Sequence, residues 1–115
     1  MKKFALFVFN GDPMCFIHVL LNAMNMKEKG HDVKIIMEGS SVKLIPELFT
    51  PQHPLNKLWA KAIDQELVEG ACRACSAKLG TLKDAENHGI KLLDGMAGHP
   101  SMTEFMDNGF EIITF

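Results

Sequence analysis

Continuous apolar runs alternate along this chain with segments in which apolar residues recur every three or four positions. The first run, Lys3 to Phe9, is rich in Phe and Val, which is typical of a strand covered on both faces of a parallel sheet. From Met14 to Lys29 the apolar positions follow helical spacing, and Gly30 is placed to end that helix. Val33 to Met37 forms a second apolar run. This order predicts a βαβ unit with parallel strands and a right-handed crossover.

The middle of the chain predicts shorter elements. Val42 to Leu48 is expected to form a short helix that Pro46 strains or ends. Leu55 to Ile63 carries the clearest amphipathic stripe, with Trp59 on it as a core residue or a subunit contact. Leu67 to Ala71 is predicted to be a third strand, which leads directly into a Cys-x-x-Cys motif and a short helix.

The last third of the chain completes the alternation. Ile90 to Leu93 is weakly strand-like, and Asp94 to Pro100 is predicted to be a loop. Ser101 is placed to cap a helix in a capping box with Glu104, and Glu111 to Phe115 closes the chain as a strand. That helix is predicted to have a buried side made of Met102, Phe105 and Met106. The whole pattern predicts one α/β domain, residues 1–115, with a doubly wound, five-stranded, mainly parallel sheet, helices on both faces and flavodoxin-like layering.

Composition narrows the function classes. The chain has 115 residues, 47% of them apolar and 23% charged, and its net charge of −2 offers no basic surface for nucleic acid. The apolar run that begins near Lys3 ends at Asn10, which is too short for a signal sequence, and no run could span a membrane. A cytoplasmic protein is therefore expected. Three cysteines, an odd number, argue against a disulfide framework, and in a reducing compartment a Cys-x-x-Cys is more often catalytic or metal-binding.

Candidate chemistry lies at one edge of the predicted sheet. In open parallel α/β sheets, sites form beyond the carboxyl ends of the strands. That edge is expected to carry residues 10–15, 38–41, 72–75 and 98–99. Asn10, Cys15 and His99 are therefore candidate neighbours of the cysteine pair.

Cys72 is the favoured reactive residue. It is predicted to lie where the third strand becomes a helix, exposed, with the helix N-terminus favouring its thiolate. Arg73 would add positive charge, so Cys72, Cys75 and Arg73 are the candidate catalytic residues. A thiolate attacks sulfur, which permits persulfide formation, disulfide exchange and alkylation. The alternative is an inert, buried pair of cysteines.

Two other uses of a Cys-x-x-Cys are less favoured by the pattern. A structural zinc site needs four ligands, and the spare ones would have to come from Cys15, His88 or His99. Because no second ligand pair has suitable spacing, neither a metal nor a cofactor is predicted. A dithiol–disulfide enzyme would carry the motif after an early strand and face it with a cis-proline, whereas here the motif follows the third strand.

The motif and its surroundings resemble a known family. Cys72 to Gly80, after the third strand, resembles the cysteine motif of the DsrE/DsrF-like proteins, especially the YchN-type members with Cys-x-x-Cys. The ending Gly109 to Phe115 is similar to the last strand of that family, and the opening strand, the Asn10 to Pro13 turn and the length agree with it. Asp94 to Pro100 departs from it, since a longer apolar strand is usual there.

The resemblance implies a fold, an assembly and a function. It implies a five-stranded parallel α/β fold and a homo-oligomer, either a trimer or a hexamer. Related sulfur-relay proteins of the TusBCD type carry sulfur as a cysteine persulfide, and the matching carrier here is Cys72, with Cys75 as a resolving thiol. The expectation is a sulfurtransferase-like protein that works between sulfur donor and acceptor proteins. The competing expectation is a non-catalytic oligomeric binding or assembly module with structural cysteines.

Overall fold

Five parallel strands form one sheet in the computed structural model, which describes residues 1–115. The strand order is β4-β3-β2-β1-β5, and every neighbouring pair is parallel. This confirms the predicted α/β class and the five-stranded sheet. The strands are β1 (Lys3–Val8), β2 (Asp32–Met37), β3 (Val68–Cys72), β4 (Leu92–Leu93) and β5 (Glu111–Thr114).

Helices connect the strands, and the first of them is the longest. Asp12 caps the first helix, because its carboxylate accepts a hydrogen bond from the Met14 N–H at 2.8 Å, and Pro13 occupies the first turn. None of the helices is long and apolar enough to cross a membrane. The helices are α1 (Pro13–Glu28), a 3₁₀ helix (Gly39–Leu44), α2 (Ile45–Leu48), α3 (Asn56–Asp64), α4 (Arg73–Lys78), α5 (Leu82–Asn87) and α6 (Met102–Asp107).

The main core lies on the face of the sheet that α1 and α3 cover. Leu6 and Val8 of β1 point into it, whereas their neighbour Phe7 points to the opposite face. Trp59 of α3 is 1% exposed and packs its ring 6.0 Å from that of Phe16. Trp59 is therefore a core residue.

The opposite face is covered by α6, where Phe105 meets Phe7 edge to face with the ring centroids 5.5 Å apart. The predicted buried side of this helix is wrong in part: no residue of α6 is fully buried, and Met106 is 56% exposed. One six-residue helix covers only part of a sheet face. Ser101 holds the N-cap position, but its hydroxyl contacts Thr103 Oγ1 at 2.9 Å and caps no backbone N–H, so the predicted capping box does not form.

Pro46 does not end a helix. The 3₁₀ helix that begins at Gly39 passes directly into α2, and Pro46 lies in the first turn of α2. The Ile45 N–H just before it donates to the Val42 carbonyl, so helical hydrogen bonding continues from one helix into the next. The helical segment passes Pro46 and ends at Leu48, as predicted.

Candidate functional site

Cys72 ends β3 and caps α4. Its Sγ accepts a hydrogen bond from the N–H of Cys75 at 3.3 Å, so the first cysteine of the motif holds the start of the helix. The predicted strand-to-helix turn is confirmed. The turn leaves Cys75 in the first turn of the helix, with both sulfurs at the carboxyl edge of the sheet.

His99 reaches this edge through a tight turn after β4. The N–H of Met96 donates to the carbonyl of His99 at 2.7 Å, and the N–H of His99 donates back to Met96 at 2.9 Å. Ala97 and Gly98 between them have φ values of 50° and 90°, as a turn with two left-handed central residues requires. The N–H of Ala74 donates to the Gly98 carbonyl at 2.9 Å, which ties the turn to α4.

The two sulfurs and the imidazole form one cluster. Nδ1 of His99 lies 3.1 Å from Cys72 Sγ and 3.9 Å from Cys75 Sγ. All three atoms lie within 4.8 Å of one another. We call these residues the Cys72–Cys75–His99 cluster. The cluster is compatible with a cysteine-based role, because it brings two thiols and a proton acceptor together.

Cys72 is neither exposed nor activated, which corrects the expectation from sequence. Its exposed fraction is 0%. Burial raises the pKa of its thiol to about 12; Cys75 and Glu38 act in the same direction, and the hydrogen bond from the Cys75 N–H opposes them. With only six residues, α4 does not offset the cost of placing a thiolate in this position. At neutral pH Cys72 is a thiol, and its Sγ lies within hydrogen-bond distance of His99 Nδ1.

Cys75 is the more accessible sulfur of the pair. Its side chain is partly exposed, and its Sγ accepts a hydrogen bond from the N–H of Gly39 at 3.3 Å. That N–H belongs to the first residue of the 3₁₀ helix after β2, so residues that follow the neighbouring strands β2, β3 and β4 surround this sulfur. A backbone donor at this distance stabilises negative charge on Cys75.

Arg73 does not direct its positive charge to the cysteine sulfurs, contrary to the expectation from sequence. Its Nε donates to the Asp94 carboxylate at 3.1 Å, and both side chains are about half exposed, at 49% and 55%. The pairing directs the guanidinium to a carboxylate at the surface. Its positive charge is therefore not available to stabilise an anion on Cys72.

The other candidate neighbours lie outside the cluster. Cys15 is exposed on α1, and Asn10 is exposed and accepts a hydrogen bond from the N–H of Asp12 at 2.8 Å. His88 stacks on Phe49, with the ring centroids 3.9 Å apart. Of the spare metal ligands considered from the sequence, His99 alone meets the cysteine pair.

Glu38 is a site residue that the sequence did not single out. It follows β2, is 8% exposed, and its carboxylate takes part in neither of the two ion pairs nor in any side-chain hydrogen bond. Burial raises the pKa of this carboxyl, and attraction to His99 partly lowers it. The sequence feature that could have identified Glu38 is its position. It is a charged residue directly after a buried strand, at the edge of the sheet where sites form.

A cleft opens beside the cluster. It measures about 310 Å³ and is lined by Glu38 together with apolar side chains that include Phe9, Met96 and Met102. A second cleft, of about 390 Å³, lies beside α6. Neither cleft is lined by a residue of the cluster, but the first is lined by Pro100, the residue that follows His99.

Replacing Gly98 by alanine is expected to displace His99. A Cβ at this position would lie 3.3 Å from the Ala74 Cβ, and the φ of +90° is strained for any residue with a side chain. We expect a loss of about 1–2 kcal/mol in stability and a changed His99 imidazole signal in NMR spectra. Gly30→Ala is the matched control, since its φ is +91° with nothing within 4 Å of the new Cβ. An unmoved His99 signal in Gly98→Ala would contradict the role of this turn.

Comparison with known proteins gives relatives without an assigned activity. No family model matches the chain. It is 37% identical over 97 residues to the uncharacterized protein MJ0733 of Methanocaldococcus jannaschii, a match that covers 84% of this chain and 77% of that protein. An uncharacterized protein of Archaeoglobus fulgidus is 42% identical over 40 residues, which is 35% of this chain and 66% of that protein.

The fold also occurs in a solved structure. A conserved protein of unknown function from Bacteroides thetaiotaomicron, BT1422, superimposes with a TM-score of 0.70. The match covers 99% of this chain and 95% of that chain at 22% sequence identity. This likeness shows a shared fold.

Proposed function

This chain belongs to the family of the uncharacterized Methanocaldococcus jannaschii protein, and we propose its function from its own site: it is a sulfur carrier that holds sulfane sulfur as a cysteine persulfide. The observation that carries the proposal is the position of His99 Nδ1, 3.1 Å from one thiol sulfur and 3.9 Å from the other. A proton acceptor beside two thiols is what reversible thiol transfer requires. The DsrE/DsrF-like resemblance stays a prediction that agrees with this chemistry.

In this proposal, Cys75 is the residue that receives the sulfane sulfur. A donor cannot reach Cys72, which is 0% exposed, whereas Cys75 is partly exposed and has a backbone donor at 3.3 Å. This moves the carrier role from Cys72, where the sequence placed it, to its neighbour. Cys72 becomes the second thiol, held by His99.

The transfer conserves atoms and electrons. The Cys75 thiolate attacks the outer sulfur of a donor persulfide; a new S–S bond forms on Cys75, the S–S bond of the donor breaks, and the donor leaves as a thiolate. An acceptor thiolate then removes the same outer sulfur and leaves Cys75 as it began. His99 accepts the proton of the attacking thiol and returns it to the departing thiolate.

Protein partners and self-assembly belong to the same proposal. A carrier needs a donor and an acceptor, and a homo-oligomer, trimer or hexamer, is the predicted assembly. Apolar side chains exposed around the edge of the site support such contacts: Phe9 is 40% exposed, Met96 53% and Met14 79%. Surfaces of this kind mark protein contacts more often than scattered single apolar residues do.

Loading with a small-molecule persulfide tests the proposal. The metal-free, reduced protein is treated with the donor, freed of excess reagent, alkylated and mapped by mass spectrometry. The wild-type protein is expected to gain one sulfur atom on Cys75, and Cys75→Ser to gain none. His99→Ala is expected to load at least about 100-fold more slowly, because it lacks the proton acceptor.

Two variants separate the carrier from its neighbours. Cys15→Ser removes an exposed cysteine outside the cluster and should load like the wild type. Cys72→Ser should still load, since its sulfur is not the receiving atom. Loading of Cys75→Ser to the wild-type extent would overturn the assignment of the carrier to Cys75, and loading of neither cysteine in the wild type would overturn the carrier itself.

A further inference from the structure

The Cys72–Cys75–His99 cluster has the composition of a metal site. Two cysteine sulfurs and an imidazole nitrogen are the ligands that thiolate-preferring ions such as Zn²⁺ select. We propose that these three side chains bind one such ion. This inference does not depend on the persulfide proposal, although it uses the same sulfurs.

The distances suit a tetrahedral ion. Metal–sulfur bonds of about 2.3 Å and metal–nitrogen bonds of about 2.0–2.1 Å place a sulfur and a nitrogen ligand about 3.6 Å apart at tetrahedral angles. The two sulfur–Nδ1 distances, 3.1 and 3.9 Å, lie on either side of that value. All three ligand atoms lie within 4.8 Å of one another, so shifts of no more than about 1 Å complete the geometry.

Backbone hydrogen bonds prepare both sulfurs for a metal. The N–H of Cys75 donates to Cys72 Sγ and the N–H of Gly39 donates to Cys75 Sγ, each at 3.3 Å. Cysteine binds metal as a thiolate, and N–H groups that point at sulfur stabilise that charge. The donors come from the start of α4 and from the start of the 3₁₀ helix after β2. The folded backbone therefore supplies an outer shell to the site.

Metal and sulfane sulfur exclude each other at this site. A thiolate that is bound to a metal has its lone pair engaged and attacks a persulfide poorly. A metal-loaded protein therefore does not accept sulfane sulfur, and removal of the metal restores this reactivity. The persulfide and metal experiments are consequently carried out on separate samples of the full chain.

Titration of the metal-free, reduced full chain with Co²⁺ and then Zn²⁺ tests the inference. We expect one equivalent of Co²⁺ to produce the thiolate charge-transfer band and the visible bands of a tetrahedral site, and Zn²⁺ to remove them. Cys72→Ser, Cys75→Ser and His99→Ala should each weaken zinc binding more than about 100-fold.

Matched controls keep the result interpretable. Cys15→Ser and His18→Ala remove an exposed cysteine and an exposed histidine from α1, and both should bind zinc like the wild type. Circular dichroism identifies any variant that fails to fold, and X-ray absorption of the zinc-loaded wild type reports two sulfur ligands directly. Absence of cobalt bands, or equal losses in the control variants, would overturn the site. Persulfide loading of Cys75 in a separate metal-free sample would leave the carrier proposal standing.

Discussion

Cys72 is expected to react with iodoacetamide about 1,000-fold more slowly than an ordinary cysteine in the native, metal-free protein at neutral pH. Its pKa of about 12 lowers the thiolate fraction by about three orders of magnitude relative to a thiol with a pKa of about 8.5. Its exposed fraction of 0% hinders the reagent further. A time course analysed by peptide mapping measures the rate at each cysteine.

The pH dependence of the alkylation rate also distinguishes Cys72 from an ordinary cysteine. An ordinary thiol is mostly ionised above about pH 9, so its alkylation rate levels off there. The rate at Cys72 should keep rising towards pH 12, since its thiol stays protonated until then. Cys15 is the internal control, because it is exposed. In denaturant, all three cysteines should react alike, and native labelling of Cys72 as fast as Cys15 would contradict the buried thiol.

Trp59→Ala is expected to cost about 3–5 kcal/mol of stability, the largest effect of any substitution proposed for this chain. The side chain is 1% exposed and packs between Phe16 and Phe49, with ring centroids 6.0 and 5.5 Å away. Its removal would leave a cavity where α1, α2 and α3 meet. Denaturant unfolding followed by circular dichroism measures the loss, since Trp59 is the only tryptophan.

Trp59→Phe separates the packing of this side chain from its polar atom. The indole Nε1 is buried without a hydrogen-bond partner, and an unpaired buried donor costs about 1–3 kcal/mol. Its removal should offset much of the lost volume, so we expect a net cost of about 1 kcal/mol or less. Leu21→Ala, at a position that is 47% exposed on α1, should change stability by no more than about 0.5 kcal/mol. Equal costs for Trp59→Ala and Trp59→Phe would contradict this account.

The fourth strand is shorter than the DsrE/DsrF-like resemblance implies, and its length has a direct consequence for the site. β4 is only two residues long, and the chain then turns through Ala97 and Gly98 before it reaches α6. A longer strand would have carried this segment past the cysteines. The short strand instead brings His99 back over Cys72. The segment that fits the resemblance least therefore supplies the third residue of the cluster.

The sequence by itself determined the order of the elements and the edge of the sheet that carries the chemistry. Apolar periodicity, glycine positions and caps act within a few residues, so β1, α1 and β2 could be predicted nearly to their ends. Parallel pairing follows from the alternation of strands and helices, and it places the loops after β2, β3 and β4 together. That reasoning identified the cysteine pair and included His99 among its neighbours.

Only the tertiary structure decided the state of each group at the site. The burial of Cys72, the pairing of Arg73 with Asp94 and the unpaired carboxylate of Glu38 depend on distances between elements far apart in sequence. A pKa is set by desolvation and by nearby charges, and neither can be read from the spacing within a motif. The Cys-x-x-Cys therefore indicated where chemistry could occur, whereas the packing of three loops decided which sulfur is accessible.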